Sequence, residues 1–181
     1  VLANIRSLDL LSPEHLRQRT RDSAGHLGLG GQKLSAYLHE QGSEVRPRLL
    51  EKLQHAYPQL ASIDTRSLRS GWKHLDIAEQ FSGKVLSTPA RHVNDGLLRL
   101  LAVLSQLASD EHFLLFDEIE NGINPELVEF LVDALVESEH QVMVTTHSPV
   151  ILNYLEDEVA KQGVIYLYKN AKGATQSIRL F

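Results

Sequence analysis

The chain has 181 residues, of which 43% are hydrophobic and 23% are charged, and its formal net charge is −5. This is enough apolar material for the core of one globular domain or most of one, and the composition argues against a disordered chain. The absence of cysteine excludes disulfides, a zinc–thiolate site and a thiol nucleophile. A reducing, cytoplasmic setting is therefore expected.

Charge is divided unevenly along the chain. Residues 1–92 carry 13 Lys and Arg against 9 Asp and Glu, whereas residues 93–181 carry 5 against 14. This balance disfavours nucleic-acid binding over the whole surface. A local basic strip remains at Arg17, Arg19, Arg21, Arg46 and Arg48. A solvated helix face is its simpler interpretation, and DNA is the candidate partner if the strip is functional. The longest apolar tract, residues 97–108, is too short to cross about 30 Å of hydrocarbon, so no membrane partner is predicted.

The first half of the chain predicts short, mixed elements. A strand at 5–10 precedes a helix that begins at "SPEH", where Ser12 is the expected N-cap and Pro13 the first helical residue. After a Gly-rich loop, "QKLSAYLHE" and "VRPRLLEKLQHA" predict two helices, the second ending before Pro58. Residues 62–92 mix Thr, Ser, Ile and Val with two glycines, which is typical of short antiparallel strands.

The second half alternates between helix and strand. We predict helices at 95–108, 125–137 and 149–155, strands at 113–117, 142–146 and 164–168, and a final strand, "QSIRLF", that forms a hairpin edge. Such alternation predicts an α/β layer with a mostly parallel sheet. Two regions follow, a helical and antiparallel-strand insert over 1–92 and an α/β lobe over 93–181.

The strand "FLLFD" ends on two adjacent carboxylates, Asp117 and Glu118. Its apolar run is typical of a central parallel strand, and ligands of open α/β sheets bind beyond the carboxyl ends of such strands. Two acids there could simply be an exposed strand end. Alternatively, Asp117 holds the water shell of a nucleotide-bound Mg²⁺ and Glu118 orients or deprotonates an attacking water.

Two further motifs point to the same sheet edge. The next strand ends in "VTTHSP", which places His147 where it could be structural or could donate to a phosphate. In "HVNDGLLRLL", Asn94 is a good N-cap, Asp95 favours the positive end of the helix, and Gly96 permits close backbone approach. A helix start of this kind can bind phosphate, although ordinary helices begin this way too.

The order "NDGLLRLL", "LLFDEIENGINP" and "VTTHSP" resembles the C-terminal half of ABC-type ATPase heads, in the RecF, OLD and SMC-like branch of predicted AAA (P-loop) ATPases. The resemblance is specific over residues 91–155 and extends more loosely through "LGLGGQKLSAYL" and the region of Pro58. It implies a P-loop NTPase-like α/β fold, with residues 93–181 as the C-terminal ATPase lobe.

The resemblance also implies roles for individual residues. Asp117 matches the Walker B acid that holds Mg²⁺ through water, Glu118 the catalytic glutamate, and His147 the switch histidine that contacts the γ-phosphate. Asn121 falls in the D-loop. The signature loop, which binds the ATP of the opposite subunit, corresponds to Asn94, Asp95 and Gly96, with Asn94 where the family usually has Ser.

No Walker A pattern, G-x-x-x-x-G-K-[ST], occurs in the 181 residues. The Gly-rich "GHLGLGGQK" has Gln32 where the motif requires Lys after its second Gly, and it predicts a turn before a helix. We therefore expect half a site, inactive as this isolated chain, with an upstream P-loop lobe supplied in cis, supplied in trans or lost.

Three hypotheses follow. The first is Mg²⁺-dependent ATP hydrolysis by a head-to-tail homodimer, coupled to DNA repair or maintenance, or to phage defence. The second is a non-catalytic dimerisation or regulatory module that keeps the lobe without hydrolysis. The third is a metal-dependent nuclease or phosphatase using Asp117, Glu118 and His147.

Overall fold

The computed structural model describes residues 5–10 and 12–181. Within these ranges the α-helices and β-strands follow in chain order: β1 (Ile5–Asp9), α1 (Pro13–Leu16), α2 (Leu34–Glu40), α3 (Gly42–Ala56), β2 (Leu60–Ser67), β3 (Lys73–Phe81), β4 (Lys84–Pro89), α4 (Asp95–Leu107), β5 (Phe113–Asp117), α5 (Val128–Val136), β6 (Gln141–Val144), α6 (Asp157–Gly163), β7 (Ile165–Lys169) and β8 (Thr175–Arg179). Short 3₁₀ helices occupy Arg69–Gly71, Ala90–His92, Pro125–Leu127 and Pro149–Tyr154.

A parallel sheet in the order β1-β5-β6 positions the predicted site. Asp9 of β1 is in register with Asp117, and Phe116 with Val144, so the carboxyl ends of all three strands meet at one edge. Strand β1 thus joins a sheet whose other strands come from the second half of the chain. The division at residue 92 stays a prediction, and the structure adds that the two regions share this sheet.

Helix α4 is buried on every side. All residues from Gly96 to Gln106 are buried, including the polar Arg99, Ser105 and Gln106, so this is a core helix rather than a surface helix with one apolar face. Its Asn94 cap is confirmed, because Asn94 Oδ1 accepts the backbone N–H of Leu97 at 3.2 Å. Tyr37 of α2 also packs into this core, where burial raises its pKa to about 12. The helix therefore joins the parallel sheet to the first region.

The two faces of the parallel sheet differ in cover. Leu8, Leu114 and Phe116 are buried on the face that joins the apolar core. On the other face Leu115 is half-buried, and Met143, which is in register with it, is 52% exposed. Parallel sheets normally have both faces covered by other elements. Among the described residues, the second face of this sheet has no such cover.

An antiparallel sheet, β2-β3-β4, occupies the first region as predicted. Its register pairs Ile63 with Ile77, both buried in the same core as α4. The prediction for the last two strands needs correction. Strands β7 and β8 do form a hairpin, but it is a separate two-stranded sheet rather than an edge of the parallel one, and every residue of both strands is exposed.

The Gly-rich segment forms turns that lead into α2, as predicted, with positive φ at Gly25, Gly28 and Gly31. Through residues 5–10 and 12–181, no helix combines the length and the apolar character needed to cross a membrane.

Candidate functional site

The loops that leave β5 and β6 are joined by backbone hydrogen bonds. Thr145 N–H donates to the Phe116 carbonyl at 2.9 Å, and Ile119 N–H donates to the Thr145 carbonyl at 3.2 Å. The sheet pairing therefore continues past the last residue of each strand. As a result, Asp117 and Glu118 lie beside Thr145 although 27 or more residues separate them in the chain.

The hydroxyl of Thr145 makes two of the contacts that hold the acidic pair. It accepts the backbone N–H of Glu118 at 2.9 Å, and it donates to Asp117 Oδ1. One carboxylate oxygen of the exposed Asp117 is thereby oriented. The other is left to face solvent or a ligand.

Glu118 has a backbone conformation that is rare for residues other than glycine. Its φ is +46°, in the left-handed region, which costs of order 1–3 kcal/mol and is commonest at functional sites. Asn121 supports this conformation: its backbone N–H donates to the Glu118 carbonyl at 3.0 Å, and its Nδ2 donates to Glu118 Oε2 at 3.3 Å. The side chain of Glu118 is held at the strand end rather than left free.

His147 completes the edge. Its Nδ1 lies 3.8 Å from Glu118 Oε1 and 3.4 Å from Glu120 Oε1. The imidazole is 69% exposed, whereas the Glu120 side chain is only 11% exposed. His147 is therefore accessible to a ligand while two carboxylates define its position.

Glu120 is the unusual member of this group. Both of its carboxylate oxygens are buried, and neither makes a hydrogen bond with the described residues. A buried carboxylate is costly unless donors or cations offset the loss of hydration. The nearest donor group that the structure records for Glu120 among the described residues is the imidazole of His147, whose Nδ1 lies 3.4 Å from Oε1.

The start of α4 forms the other half of the predicted site. Arg17 Nη2 donates to the Val93 carbonyl at 2.8 Å and also to Asp95 Oδ1. A Cβ at Gly96 would lie 3.2 Å from the Gly122 carbonyl oxygen, so glycine allows the segment after Glu118 to pack closely here. The two halves of the predicted site are therefore joined within one chain by the contact between Gly96 and Gly122.

The structure brings Asp117, Glu118, Asn121 and His147 together and places the loop of Asn94, Asp95 and Gly96 against the end of the same segment. The roles assigned to these residues stay predictions. Sequence reasoning missed the parts played by Thr145, Arg17 and Glu120. Their contacts join segments that are distant in the chain, and no spacing rule signals them.

The donor set suits a metal that is shared with a ligand. No group of three or more His, Asp or Glu side chains, within the part of the chain that is described, is arranged to enclose a metal ion. Mg²⁺ in nucleotide sites commonly keeps water ligands and uses one or two carboxylates besides phosphate oxygens. One exposed carboxylate at a strand end, Asp117, fits that arrangement and does not fit an all-protein cage.

Comparisons with known proteins found one matching family model. A family model described as "AAA domain, putative AbiEii toxin, Type IV TA system" matches residues 3–153. A comparison with curated proteins found no significant match.

Solved structures of SMC ATPase heads are similar to this chain. One, titled "Structural biochemistry of ATP-driven dimerization and DNA stimulated activation of SMC ATPases", has a TM-score of 0.58 and 18% identity and covers 76% of this chain and 83% of its own. An SMC head bound to the C-terminal winged-helix domain of ScpA has a TM-score of 0.56, and a head from Pyrococcus yayanosii with coiled coil and joint has 0.59, both at 18% identity.

Each of these last two structures matches 84% of this chain. The match covers 47% of the ScpA-bound head structure and 29% of the Pyrococcus yayanosii structure. At such identity the likeness shows the fold alone. It confirms the predicted P-loop NTPase-like α/β fold of ABC ATPase type. The RecF or OLD branch stays a prediction.

Proposed function

Because this chain belongs to the AAA domain family described as "putative AbiEii toxin, Type IV TA system", we propose that its strand-end site binds Mg·ATP and hydrolyses it. The observation that carries the proposal is the convergence of Glu118 and His147, within 3.8 Å, beside Asp117 at one edge of the parallel sheet. Ligand sites of open α/β sheets lie at such edges.

In this proposal Glu118 is the general base. It accepts a proton from a water molecule whose oxygen attacks the γ-phosphorus, and the bond between that phosphorus and the bridging oxygen of ADP breaks. His147 donates to a γ-phosphate oxygen through its exposed ring. Asp117 would hold Mg²⁺ through water, and the metal would neutralise phosphate charge.

Asn94, Asp95 and Gly96 are proposed to contact the ATP of a second copy in a head-to-tail homodimer, with Asn121 contributing from the D-loop. The support is positional: Arg17 holds Val93 and Asp95 at the start of α4, and Gly96 is packed against Gly122 of the segment that carries Glu118. The similar SMC head with a TM-score of 0.58 comes from work on ATP-driven dimerisation of SMC ATPases. The buried carboxylate of Glu120, which makes no hydrogen bond with the described residues, would accept a donor from such a partner.

A P-loop lobe, in cis or in trans, is proposed to complete each site. The 181 residues contain no Walker A pattern, and backbone donors and a lysine are what normally hold the β- and γ-phosphates. The support lies in the parallel sheet, where β6 is an edge strand and the face with Leu115 and Met143 is uncovered in the described residues. A lobe placed there would cover apolar surface and approach the carboxyl ends of the strands.

ATP-driven closure of two heads is proposed to be coupled to work on DNA, in repair, maintenance or phage defence. The description of the family as a toxin component fits control of an attached effector. An alternative function, a dimerisation or regulatory module without hydrolysis, is favoured by the missing Walker A pattern and by Asn94 at the usual Ser position.

The test is phosphate release from Mg·ATP by the full-length natural protein, compared with its Glu118→Gln and Glu129→Gln variants. Loss of a general base costs about 10²–10⁴-fold, so Glu118→Gln should fall by that factor. Glu129, an exposed acid of α5, is the matched control and should not change the rate. A protein that hydrolyses ATP equally well with Gln at 118 contradicts the mechanism, and one that releases no phosphate supports the regulatory module.

A further inference from the structure

A cavity of about 260 Å³ lies away from the carboxylates of the strand-end site. Its walls come from the segment after α1, from β3 and from the 3₁₀ helix before α4. Its basic groups are Arg17, Arg19, His74 and Arg91, and no carboxylate lines it. Two segments of the chain supply the three arginines, Arg17 and Arg19 after α1 and Arg91 from the 3₁₀ helix before α4. In a protein of net charge −5 they form a local region of positive charge.

The charges that face this cavity are only partly neutralised. Arg19 makes no hydrogen bond or ion pair with the described residues and is exposed. Arg91 is also exposed, and its Nε donates to His92 Nε2 at 3.0 Å. An imidazole nitrogen that accepts a hydrogen bond carries no negative charge, so this contact does not neutralise the guanidinium. Two guanidinium groups therefore present donors to whatever occupies the cavity.

The floor of the cavity is rigid. His74 is 5% exposed, and its Nε2 lies 3.1 Å from Asp76 Oδ1. Asp76 is also 3.4 Å from Arg66 Nη2, so its negative charge is shared with an arginine that does not line the cavity. The basic groups at the mouth thus keep an excess of positive charge above a fixed, buried histidine.

The surface beside the cavity continues the same chemistry. Lys73 N–H donates to the Thr20 carbonyl at 2.8 Å, which fixes the arginine-bearing segment against β3. Next to it the Arg21 guanidinium lies 5.3 Å from the ring centre of Trp72, a side chain that is 41% exposed. Guanidinium groups with an adjacent exposed aromatic ring are the combination that binds phosphates and stacks bases.

We propose that this cavity is a binding site for the phosphate group of a nucleotide or nucleic-acid strand, separate from the ATP site. Arg19 and Arg91 bind the phosphate oxygens, because guanidinium groups match that geometry with paired donors. The ligand chemistry is a phosphate ester, which a nucleic-acid backbone and a free nucleotide both supply.

Arg17 connects this site to α4. The same guanidinium that lines the cavity donates to Val93 and Asp95 at the start of that helix. A phosphate in the cavity competes with Asp95 for Arg17. Occupancy therefore loosens the loop of Asn94, Asp95 and Gly96 without any contact between the ligand and that loop.

The test is binding of a fluorescent single-stranded 20-mer and of a fluorescent mononucleotide, without Mg²⁺, to the wild-type chain and to Arg19→Ala/Arg91→Ala. The matched control is Arg69→Ala, an exposed arginine of the 3₁₀ helix Arg69–Gly71 that does not line the cavity. We expect the double variant to bind at least tenfold more weakly and the control to bind as wild type. For the oligonucleotide, the slope of log K against log salt should also decrease by about 0.7 per lost phosphate contact.

Comparison of the two probes shows whether the phosphate comes from a nucleic-acid strand or from a free nucleotide. Oligonucleotide binding that depends on Arg19 and Arg91, and that free mononucleotide does not compete away, identifies a nucleic-acid strand. Equal dependence for the mononucleotide identifies a free nucleotide. The site is contradicted if neither probe binds up to millimolar concentration, or if the double variant and Arg69→Ala bind alike. Binding is measured without Mg²⁺ and without any readout of hydrolysis, so failure of the ATPase proposal and failure of this one are distinguishable.

Hydrogen exchange tests the connection through Arg17. In the wild-type chain, a saturating concentration of whichever probe binds, the 20-mer or the mononucleotide, should speed hydrogen exchange of the amides in the first turn of α4, at Leu97 and Leu98. Arg17→Ala should show the faster exchange without ligand. Exchange in that turn that is the same with and without bound ligand would overturn the connection.

Discussion

Phe116 and Asp117 are consecutive residues of β5, yet they belong to two physically different regions. Phe116 is 1% exposed in the apolar core, whereas Asp117 is exposed at the strand end, where polar contacts replace packing. The core gains its free energy from burial, which depends on area and shape. The edge holds a strained Glu118 backbone and a buried, unsatisfied Glu120, both of which cost free energy. Within β5, a residue that stabilises the fold by burial is thus followed directly by a residue of the candidate site.

The largest expected effect is a loss of folding stability on substitution in the core. Phe116→Ala should destabilise folding by about 3–5 kcal/mol, because it removes a buried aromatic ring and leaves a cavity. Asp117→Asn, at the next position, should change stability by less than about 0.5–1 kcal/mol, since the residue is exposed and asparagine can still accept from Thr145. Urea unfolding of both variants provides the measurement. Equal destabilisation would show that the strand end contributes to the core.

An intermediate effect, on the rate of hydrolysis, is expected for substitution of Thr145 at the strand end. Thr145→Val keeps the shape of the side chain but removes the hydroxyl that contacts Asp117 and the Glu118 backbone. Each lost hydrogen bond is worth about 0.5–1.5 kcal/mol, so hydrolysis by the full-length protein should fall about ten- to hundredfold. Thr145→Ser retains the hydroxyl and should keep most of the activity. If the two substitutions lower the rate equally, the hydroxyl does not position the acids.

The smallest effect concerns a buried titratable group outside the edge. Burial lowers the pKa of His74 from its ordinary 6.5, although Asp76 opposes this shift. The unfolded chain therefore takes up a proton that the folded chain resists, and stability should decrease as the pH falls below about 6.5. Above that pH both states are neutral at this residue and its contribution is constant.

His74→Gln is expected to reduce this loss of stability on acidification. Burial also lowers the pKa of His26 and His39, so part of the pH dependence should remain in the variant. Unfolding midpoints of the wild type and the variant, compared between pH 7.5 and pH 5, give the difference that belongs to His74. Parallel curves for the two proteins would assign the whole pH dependence to other groups.

Prediction from the sequence succeeded where local pattern controls structure. The helix that begins after Asn94, the strand that ends on Asp117 and the antiparallel strands β2 to β4 all form near their predicted positions. Capping, apolar runs and turn residues act within a few positions along the chain, so they are legible in one sequence. The hairpin of β7 and β8 was found, but its separation from the parallel sheet was not, because pairing between strands is not a local property.

By itself the sequence determined the α/β fold class, the alternation of elements and the presence of acids and a histidine after two neighbouring strands. Only the tertiary structure decided that Thr145 bridges Asp117 and Glu118, that Gly96 meets Gly122, and that Arg17 joins a basic cavity to the start of α4. The physical reason is range. Propensity and periodicity are set by neighbours along the chain, whereas hydrogen bonds, close packing and charge excess depend on which distant segments the core brings together.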